Sequence, residues 1–507
     1  MKFVHLLAGV AFVALAASPV TAQTLRYATV SEPPSLDIQM GTATLASTIA
    51  QHMFEMLYAF DGSATPQPFL ATGETISEDE KTITIALRDG VVFHNGDVMT
   101  ADDVAASLSR WAEFGSRGQL LGLETVEATG PLEVTLTLSA PNGAWKSLLA
   151  YPNGGPVIYP AEVASAAGGD TISPENYIGT GPYQFGELRP NRYVELVRFD
   201  DYARIDAPLD GEAGGREALF ERLQFIPVPD VGTRMSGVQA GDYDYAEYIS
   251  GDLYGLVRDD PAVQIKISSA PLFGLMFMNS ETGPLEDNYT LRQAILAALN
   301  MEQALQVSVG EPELFRADGS FFPEGNVWHS TLGTEAYNAG DAEQARELAA
   351  EAGYDGTPIK LLVSTNYKEH FDQAAVFTRQ LAEAGINVQM VVVDWATLLT
   401  LRGQPSEWDL FMTHHGAIPD PVLLTVMNES YAGWWRSPEK QALAAEFTGT
   451  SDLETRVAAW GELQALIYEQ VPVVKVGNVY SFDIASPALS TPWDTAPAFP
   501  YFWGATK

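Results

Sequence analysis

Apolar side chains recur along the chain with two different periods. Ile83, Ile85 and Leu87 alternate with threonine and alanine, and Leu132, Val134, Leu136 and Leu138 repeat the alternation. Both stretches predict half-buried strands of a small mixed sheet, because side chains on a strand point to opposite faces in turn. "LRYATV" (25–30) predicts a short strand that the two prolines of "EPPSLD" terminate. Ile49, Met53, Met56 and Leu57 fall at helical spacing, which predicts a helix with an apolar face over 44–58. In the second half, "PIKLLV" (358–363) predicts a buried strand and 370–384 an amphipathic helix closed by Gly385. "INVQMVVV" (386–393) then predicts a second strand, so the three elements form a right-handed βαβ unit with parallel strands. "WDLFMT" (408–413) is a third candidate strand, and helices are predicted at 341–352 and 452–469. Between these halves, 262–280 predicts two strands joined at Ala270-Pro271, a crossing from one lobe to another.

"LRDGVVFHNGDVMTADDV" (87–104) concentrates polar residues that could suggest a metal or catalytic site. Asn95-Gly96 is a tight-turn pair, since both residues tolerate positive φ. Thr100 precedes a helical run with Asp103 three residues later, close to a capping box. Val104, Leu108 and Trp111 then share one helix face. Asp97, Asp102 and Asp103 therefore flank a turn and a helix start, where carboxylates satisfy free amides and the helix dipole. The structural reading outweighs a calcium loop, whose ligand spacing is not met.

Composition narrows the class. At 507 residues the chain exceeds one ordinary core and calls for at least two lobes. Acidic residues outnumber basic ones by 65 to 28, a formal net charge of −37, which argues against nucleic-acid and anionic-membrane partners. Residues 1–22 carry Lys2, an apolar stretch and then Val20-Thr21-Ala22, the pattern of a signal peptide cleaved before Gln23. The chain contains no cysteine, so it lacks disulfides, thiolate metal sites, thiol nucleophiles and a cysteine for lipid anchoring. An exported, soluble, unanchored protein is expected.

Candidate chemistry is sparse. No serine sits in a G-x-S-x-G elbow, there is no H-E-x-x-H pair or Walker loop, and in so acidic a chain no carboxylate pair is diagnostic. The glycines of "GTGPYQF" (179–185) lack a following lysine and helix, so they do not cradle phosphate. "DAPLDGEAGG" (206–215) reads as a loop, an exposed insertion. "THHGAIPDP" (413–421) leaves the third strand at the end where open parallel sheets bind ligands. His414 and His415 are adjacent, and neighbouring side chains seldom converge on one metal ion; no metal or cofactor is expected. Asp420, stiffened between two prolines, could bind a ligand ammonium or merely make turn contacts. Trp434 and Trp435 in the "AGWWRSPE" loop (432–439) are candidates for pocket walls, as are Tyr27 and Trp395.

Taken together, the segment 77–104, "GTGPYQF", "VQAGDYDYAE" (238–247), "TLRQAILAALNMEQAL" (290–305) and "AEQARELAAEAGY" (342–354) give the chain a specific likeness. It resembles the extracytoplasmic solute-binding proteins of ABC importers, in the dipeptide/oligopeptide class (family 5). The resemblance implies an α/β, two-lobed periplasmic binding fold with a hinge and an extra subdomain in the first lobe. Lobe one would comprise 23–270, with the extra subdomain at about 60–180, and lobe two 271–477; residues 478–507 would return to lobe one. The resemblance further implies a monomeric receptor, not an enzyme, that closes over a short peptide or other amine-bearing solute and delivers it to a membrane permease. Asp420 matches the family aspartate that pairs with a peptide amino terminus. Where dipeptide binders carry an arginine for the ligand carboxylate, "NYKEHFDQ" (366–373) offers only Lys368. A sugar or metal-chelate receptor remains an alternative, resting on Trp434 and Trp435 or on His414 and His415, with a secreted hydrolase more remote.

Overall fold

The computed structural model describes residues 23–507; the expected signal peptide, 1–22, lies outside them. Two large mixed sheets organise the chain. The first runs, in spatial order, Gln264–Ile267, Phe482–Ala485, Tyr245–Ile249, Thr24–Thr29, Arg222–Pro227, Tyr193–Arg198 and Tyr183–Arg189. The second runs Phe315–Arg316, Val473–Val479, Leu272–Met278, Leu410–His415, Ile359–Ser364 and Val388–Val393. A separate antiparallel sheet of Ala71–Ile76, Thr82–Leu87, Glu133–Leu138 and Leu123–Gly130 forms the extra subdomain on the first lobe. Its inward residues Ile83, Ile85, Val134 and Leu136 are fully buried, as their alternation predicts.

The second lobe shows why its strands read as apolar runs. In Leu272–Met278, Leu275 and Phe277 enter one core with Trp460 and Phe411, while Met276 and Met278 enter another with Phe377 and Leu361. A sheet covered on both faces has no polar side, so period-two patterning collapses into continuous hydrophobicity. Ile359–Ser364 pairs in parallel with both Val388–Val393 and Leu410–His415, and helix Lys368–Glu383 makes the crossover.

Ser268 to Pro271 carry the chain from the first sheet to the second, and Tyr480 and Ser481 carry it back. The two crossings are joined by a bond from Ser268 N to Ser481 O (2.9 Å). This pair of adjacent linkers is the hinge.

The polar segment after Arg88 is scaffold. Thr100 and Asp103 form the capping box of helix Ala101–Phe114, and the second Asp103 oxygen accepts from Ala161 N (2.8 Å). His94 accepts from Gly179 N at Nδ1 (3.1 Å) and donates from Nε2 to Gly181 O (3.1 Å), so it fastens the "GTGPYQF" corner. Burial pushes its pKa down to about 4, which keeps the ring neutral and this tautomer in place. The segment and the glycine corner are thus two halves of one joint.

Two element boundaries differ from expectation. The helix predicted over 44–58 spans only Thr44–Ala50, and Tyr58–Phe60 is already a strand. Met53, Met56 and Leu57 are buried nonetheless. Where every side of a segment is enclosed, apolar spacing no longer reports helix. The third strand of the second lobe runs Leu410–His415, so both histidines finish a strand instead of opening a loop.

Candidate ligand cleft

A cavity of about 440 Å³ lies where the two lobes face each other beside the hinge. The first lobe contributes the Phe60–Ala64 turn, Tyr151, Glu212 and the C-terminal aromatics Trp493, Phe499 and Tyr501. The second contributes Phe273, Phe321, Phe322, Glu324, Asn326 and the backbone around Ile418. Ser269, Ala270 and Pro271 of the hinge close one side. Lining of this kind, mostly apolar and aromatic with a few polar groups, is the ordinary make-up of a small-molecule site.

Its charged lining residues are Asp61, Glu212 and Glu324; no lysine, arginine or histidine lines it among the described residues. Burial works against the Asp61 carboxylate, but bonds from Ser63, Thr65 and Gln67 overcome it and hold the pKa below the usual value. Glu212 is different. Burial pushes its pKa up to about 7, opposed by the Arg216 charge, and no hydrogen bond from the described residues offsets the desolvation. Arg216 bonds instead to the Glu212 backbone carbonyl (3.0 Å), and its guanidinium lies between the rings of Phe69 and Trp503, 4.2 Å from each centroid. Tyr501 stacks on the far partner of that sandwich, Trp503, at 4.4 Å.

The Glu212 loop is the 206–215 segment that the sequence suggests is an exposed insertion. It folds back onto the Phe60 turn: Glu212 N and Ala213 N both donate to Phe60 O (2.8 and 3.1 Å). Gly211 has φ +60, and a Cβ there would meet the Asp61 carbonyl carbon at 2.5 Å. Only glycine lets the loop approach so closely. That glycine was the available sequence signal.

Asp420, by contrast, lies outside the cavity lining although Ile418 and Pro419 belong to it. The family resemblance implies a ligand ammonium as its partner, but here the carboxylate faces Arg456. Both oxygens accept from that guanidinium at 3.0 Å, Oδ2 also accepts from Ser147 Oγ (2.9 Å), and Oδ1 from Val422 N (3.1 Å). Asp420 is wholly buried and Arg456 nearly so. Ser147 belongs to the extra subdomain, so the cluster spans the two lobes. Further bonds join them nearby: Gly143 N to Thr448 O (2.8 Å), Ser451 N to Glu80 (2.7 Å) and Val327 N to Ser63 O (3.2 Å).

The remaining sequence candidates also stand away from the cavity. His414 Nδ1 meets His370 Nε2 at 3.2 Å, and Tyr367 and Trp395 pack around the pair. Burial, and then the neighbouring His414, lower the His370 pKa to about 3. His415 turns the other way, stacking on Phe273 at 5.4 Å and bonding Gly416 O. No group of three or more potential metal ligands occurs among the described residues. Trp434 stacks on Trp408 and Trp435 bonds Gln470 (2.7 Å), both within the second lobe's core. Tyr27 is a buried residue of strand Thr24–Thr29 in the first sheet, its hydroxyl on Glu247 (3.0 Å). Of the lining residues, Trp493 and Phe499 are legible in the sequence as aromatic surface, and Ile418 and Pro419 belong to the strand-end loop expected at the cleft; Glu212 and the Phe60–Ala64 turn carry no such signal.

Residues 65–434 match the model of the bacterial extracellular solute-binding proteins, family 5, which is well over half of the chain. The chain belongs to this family. Its members are the solute-binding components of ABC importers, a family of binding proteins and not of enzymes. A probable peptide ABC transporter periplasmic-binding protein, y4tO of Sinorhizobium fredii, is 28% identical over 456 residues, covering 86% of this chain and 85% of the relative. The glutathione-binding protein GsiB of Pectobacterium atrosepticum is 28% identical over 390 residues, 75% of this chain and 71% of GsiB. Among solved structures, HbpA2 from Haemophilus parasuis superposes with a TM-score of 0.79 at 20% identity, over 95% of this chain and 99% of that one. The two-lobed fold is therefore that of the periplasmic binding proteins. No helix among the described residues is long and apolar enough to cross a membrane.

Proposed function

We propose that this solute-binding protein captures a short peptide or another amine-bearing solute in the cleft beside the hinge. One observation carries the reading: the cavity's charged lining residues are all carboxylates. In an enclosed, aromatic-walled space, an unpaired acid attracts a cation far more strongly than it would in water. Relatives named for peptide transport support the peptide class. Three lining carboxylates would repel the second carboxylate that glutathione carries beyond the one at a simple peptide's C-terminus, even though one relative is named for glutathione. The aromatic walls would hold side chains without reading their identity.

Residues 1–22 would direct export and be removed before Gln23, leaving an unanchored monomer in the periplasm. Ligand would stabilise the closed arrangement of lobes, and a membrane permease would recognise that arrangement. No catalytic step is assigned to the cleft. Calorimetry with an alanine tripeptide and its N-acetylated form tests the proposal. The free amine should bind and the acetylated form should lose at least about tenfold in affinity. Equal affinities, or tighter binding of glutathione than of the tripeptide, would overturn it.

A further inference from the structure

Three carboxylates border the cavity, and their surroundings separate them. Asp61 is saturated by its own turn: its two oxygens take bonds from Ser63, Thr65 and Gln67. Glu324 is exposed at the rim, in water. Glu212 is half-buried in the cavity wall, and no donor among the described residues reaches its carboxylate. Its backbone is nevertheless fixed at several points, by Phe60 O on its own N–H, by Arg216 on its carbonyl, and by the constrained Gly211 before it. A rigid loop that carries one unsatisfied acid into a cleft is arranged to receive a donor from outside the chain. Leaving such a group unpaired is costly unless a ligand supplies the missing bond.

We propose that Glu212 is the specificity-determining anchor for the ligand's ammonium group, and that capture of the cation expels a proton from this carboxylate. The inference rests on the reading that the cleft takes an amine-bearing solute, and it names the residue that selects the amine.

The groups facing Glu212 bear this out. Arg216, from the same loop, is the nearby cation, but its planar group is committed to Phe69, Trp503 and backbone oxygens. Tyr151, which follows helix Trp145–Ala150, and Tyr501, from the C-terminal segment, sense the Glu212 charge and stay neutral. Asp61 and Asp210 flank the turn on which the loop rests, and Glu55 shares with Glu212 a small void behind the cleft. From the opposite lobe, Glu324 is the charged residue lining the cavity. Burial raises this carboxyl to about 7 against the Arg216 charge, so the empty cleft favours its protonation more than water does for an ordinary glutamate, and part of it is protonated at neutral pH. An arriving ammonium reverses that preference. The ion pair forms as the carboxyl O–H proton leaves to solvent, and total charge is conserved.

The test is calorimetry of the full chain with unmodified alanine di-, tri- and tetrapeptides in buffers of different ionisation enthalpy. Wild type, Glu212→Gln, Glu212→Asp, Asp61→Asn and Glu324→Gln are compared, with folding checked by circular dichroism. Glu212→Gln should weaken binding about tenfold or more, and Glu324→Gln by no more than about threefold. Wild-type binding at pH 7 should release a proton, read as a buffer-dependent enthalpy; Glu212→Gln should not. Asp61→Asn should leave that release in place, and Glu212→Asp should restore part of the affinity. Binding that needs the free amine but is unchanged in Glu212→Gln would overturn the anchor and leave the amine reading standing. Binding indifferent to N-acetylation, or no binding of any of these peptides to wild type, would overturn both.

Discussion

Asp420 and Glu212 are carboxylates at the junction of the same two lobes, and they meet opposite fates. Asp420 is fully buried yet satisfied, with Arg456 across one side, Ser147 from the other lobe and a backbone amide completing its shell. Glu212 is only half-buried, yet no donor among the described residues reaches its carboxylate. Burial by itself therefore says little about which acid binds a ligand; the unfilled hydrogen-bonding capacity does. In this arrangement Asp420 acts as a latch between lobes, and Glu212 is the group left open in the cavity.

The largest effect expected from this contrast is on stability. Asp420→Ala strands the Arg456 guanidinium in the core, and removing one partner of a buried pair costs about 3–5 kcal/mol. Chemical denaturation should show a loss of that order, with part of it recovered in Asp420→Ala/Arg456→Met, where no unpaired charge remains. If Asp420→Ala folds with unchanged stability and only ligand affinity falls, the roles assigned to the two carboxylates are exchanged.

A second variant probes the latch without touching a charge. A Cβ on Gly143 would lie 1.9 Å from Thr450 O and 2.8 Å from Arg456 Nε. Those atoms belong to the opposite lobe, so Gly143→Ala strains the closed arrangement while the open one can relax. A clash of about 1–3 kcal/mol against closure lowers apparent affinity about tenfold, because only the closed population holds ligand. Small-angle scattering should show a larger radius at subsaturating ligand, with the thermal midpoint of the empty protein little changed. A wild-type affinity for Gly143→Ala would mean that the contacts around Asp420 do not limit closure.

Stability against pH sharpens the contrast further. Glu212, with an ordinary value of 4.5, is held at about 7 by burial. Glu247 and Asp483, buried in adjacent strands of the first sheet, are raised as well, Glu247 by burial and by the nearby Asp483 charge. A raised carboxyl pKa means the folded state binds more protons than the unfolded chain between the two values. Stability from these groups is fully present below about pH 4.5 and is lost as pH climbs towards 7. The empty protein should thus be on the order of 1–2 kcal/mol less stable per such group at pH 7.5 than at pH 5. Glu212→Gln should flatten part of that slope. A slope unchanged in this variant would place the Glu212 carboxylate in water.

How much of this was legible beforehand depends on the range over which each signal acts. Strands, helices, the crossing at Ala270-Pro271 and the capping box at Thr100 are written in local periodicity and turn chemistry, and they appear nearly where expected. Asp420 sits at the strand-end loop that was expected to reach the cleft, and Ile418 and Pro419 beside it do reach it. Its partner Arg456 lies 36 residues further on in helix Leu453–Gln470, and Ser147 lies 273 residues back. No spacing rule brings those three together. Glu212 was hidden for the same reason: a glycine-rich acidic stretch reads as solvent-exposed until the Phe60 turn, about 150 residues earlier, is seen to hold it. Charge identity was readable; charge neutralisation, a tertiary property, was not.

The smallest effect is expected at the histidines. His414 pairs with His370 inside an aromatic cage of Tyr367 and Trp395, within the second lobe and off the cavity. Replacing His414 with alanine removes one hydrogen bond and some stacking, so a modest loss of stability is expected, about 1 kcal/mol. Peptide affinity should stay within about twofold at pH 7, because no cavity-lining side chain moves with it. Both rings have lowered pKa values and remain neutral at pH 7, so the variant changes no charge that a cationic ligand would sense. A large loss of peptide affinity in His414→Ala, with stability intact, would show that the ligand reaches past the cavity to this aromatic cage. The open carboxylate of Glu212 would then mark only one end of a longer binding groove.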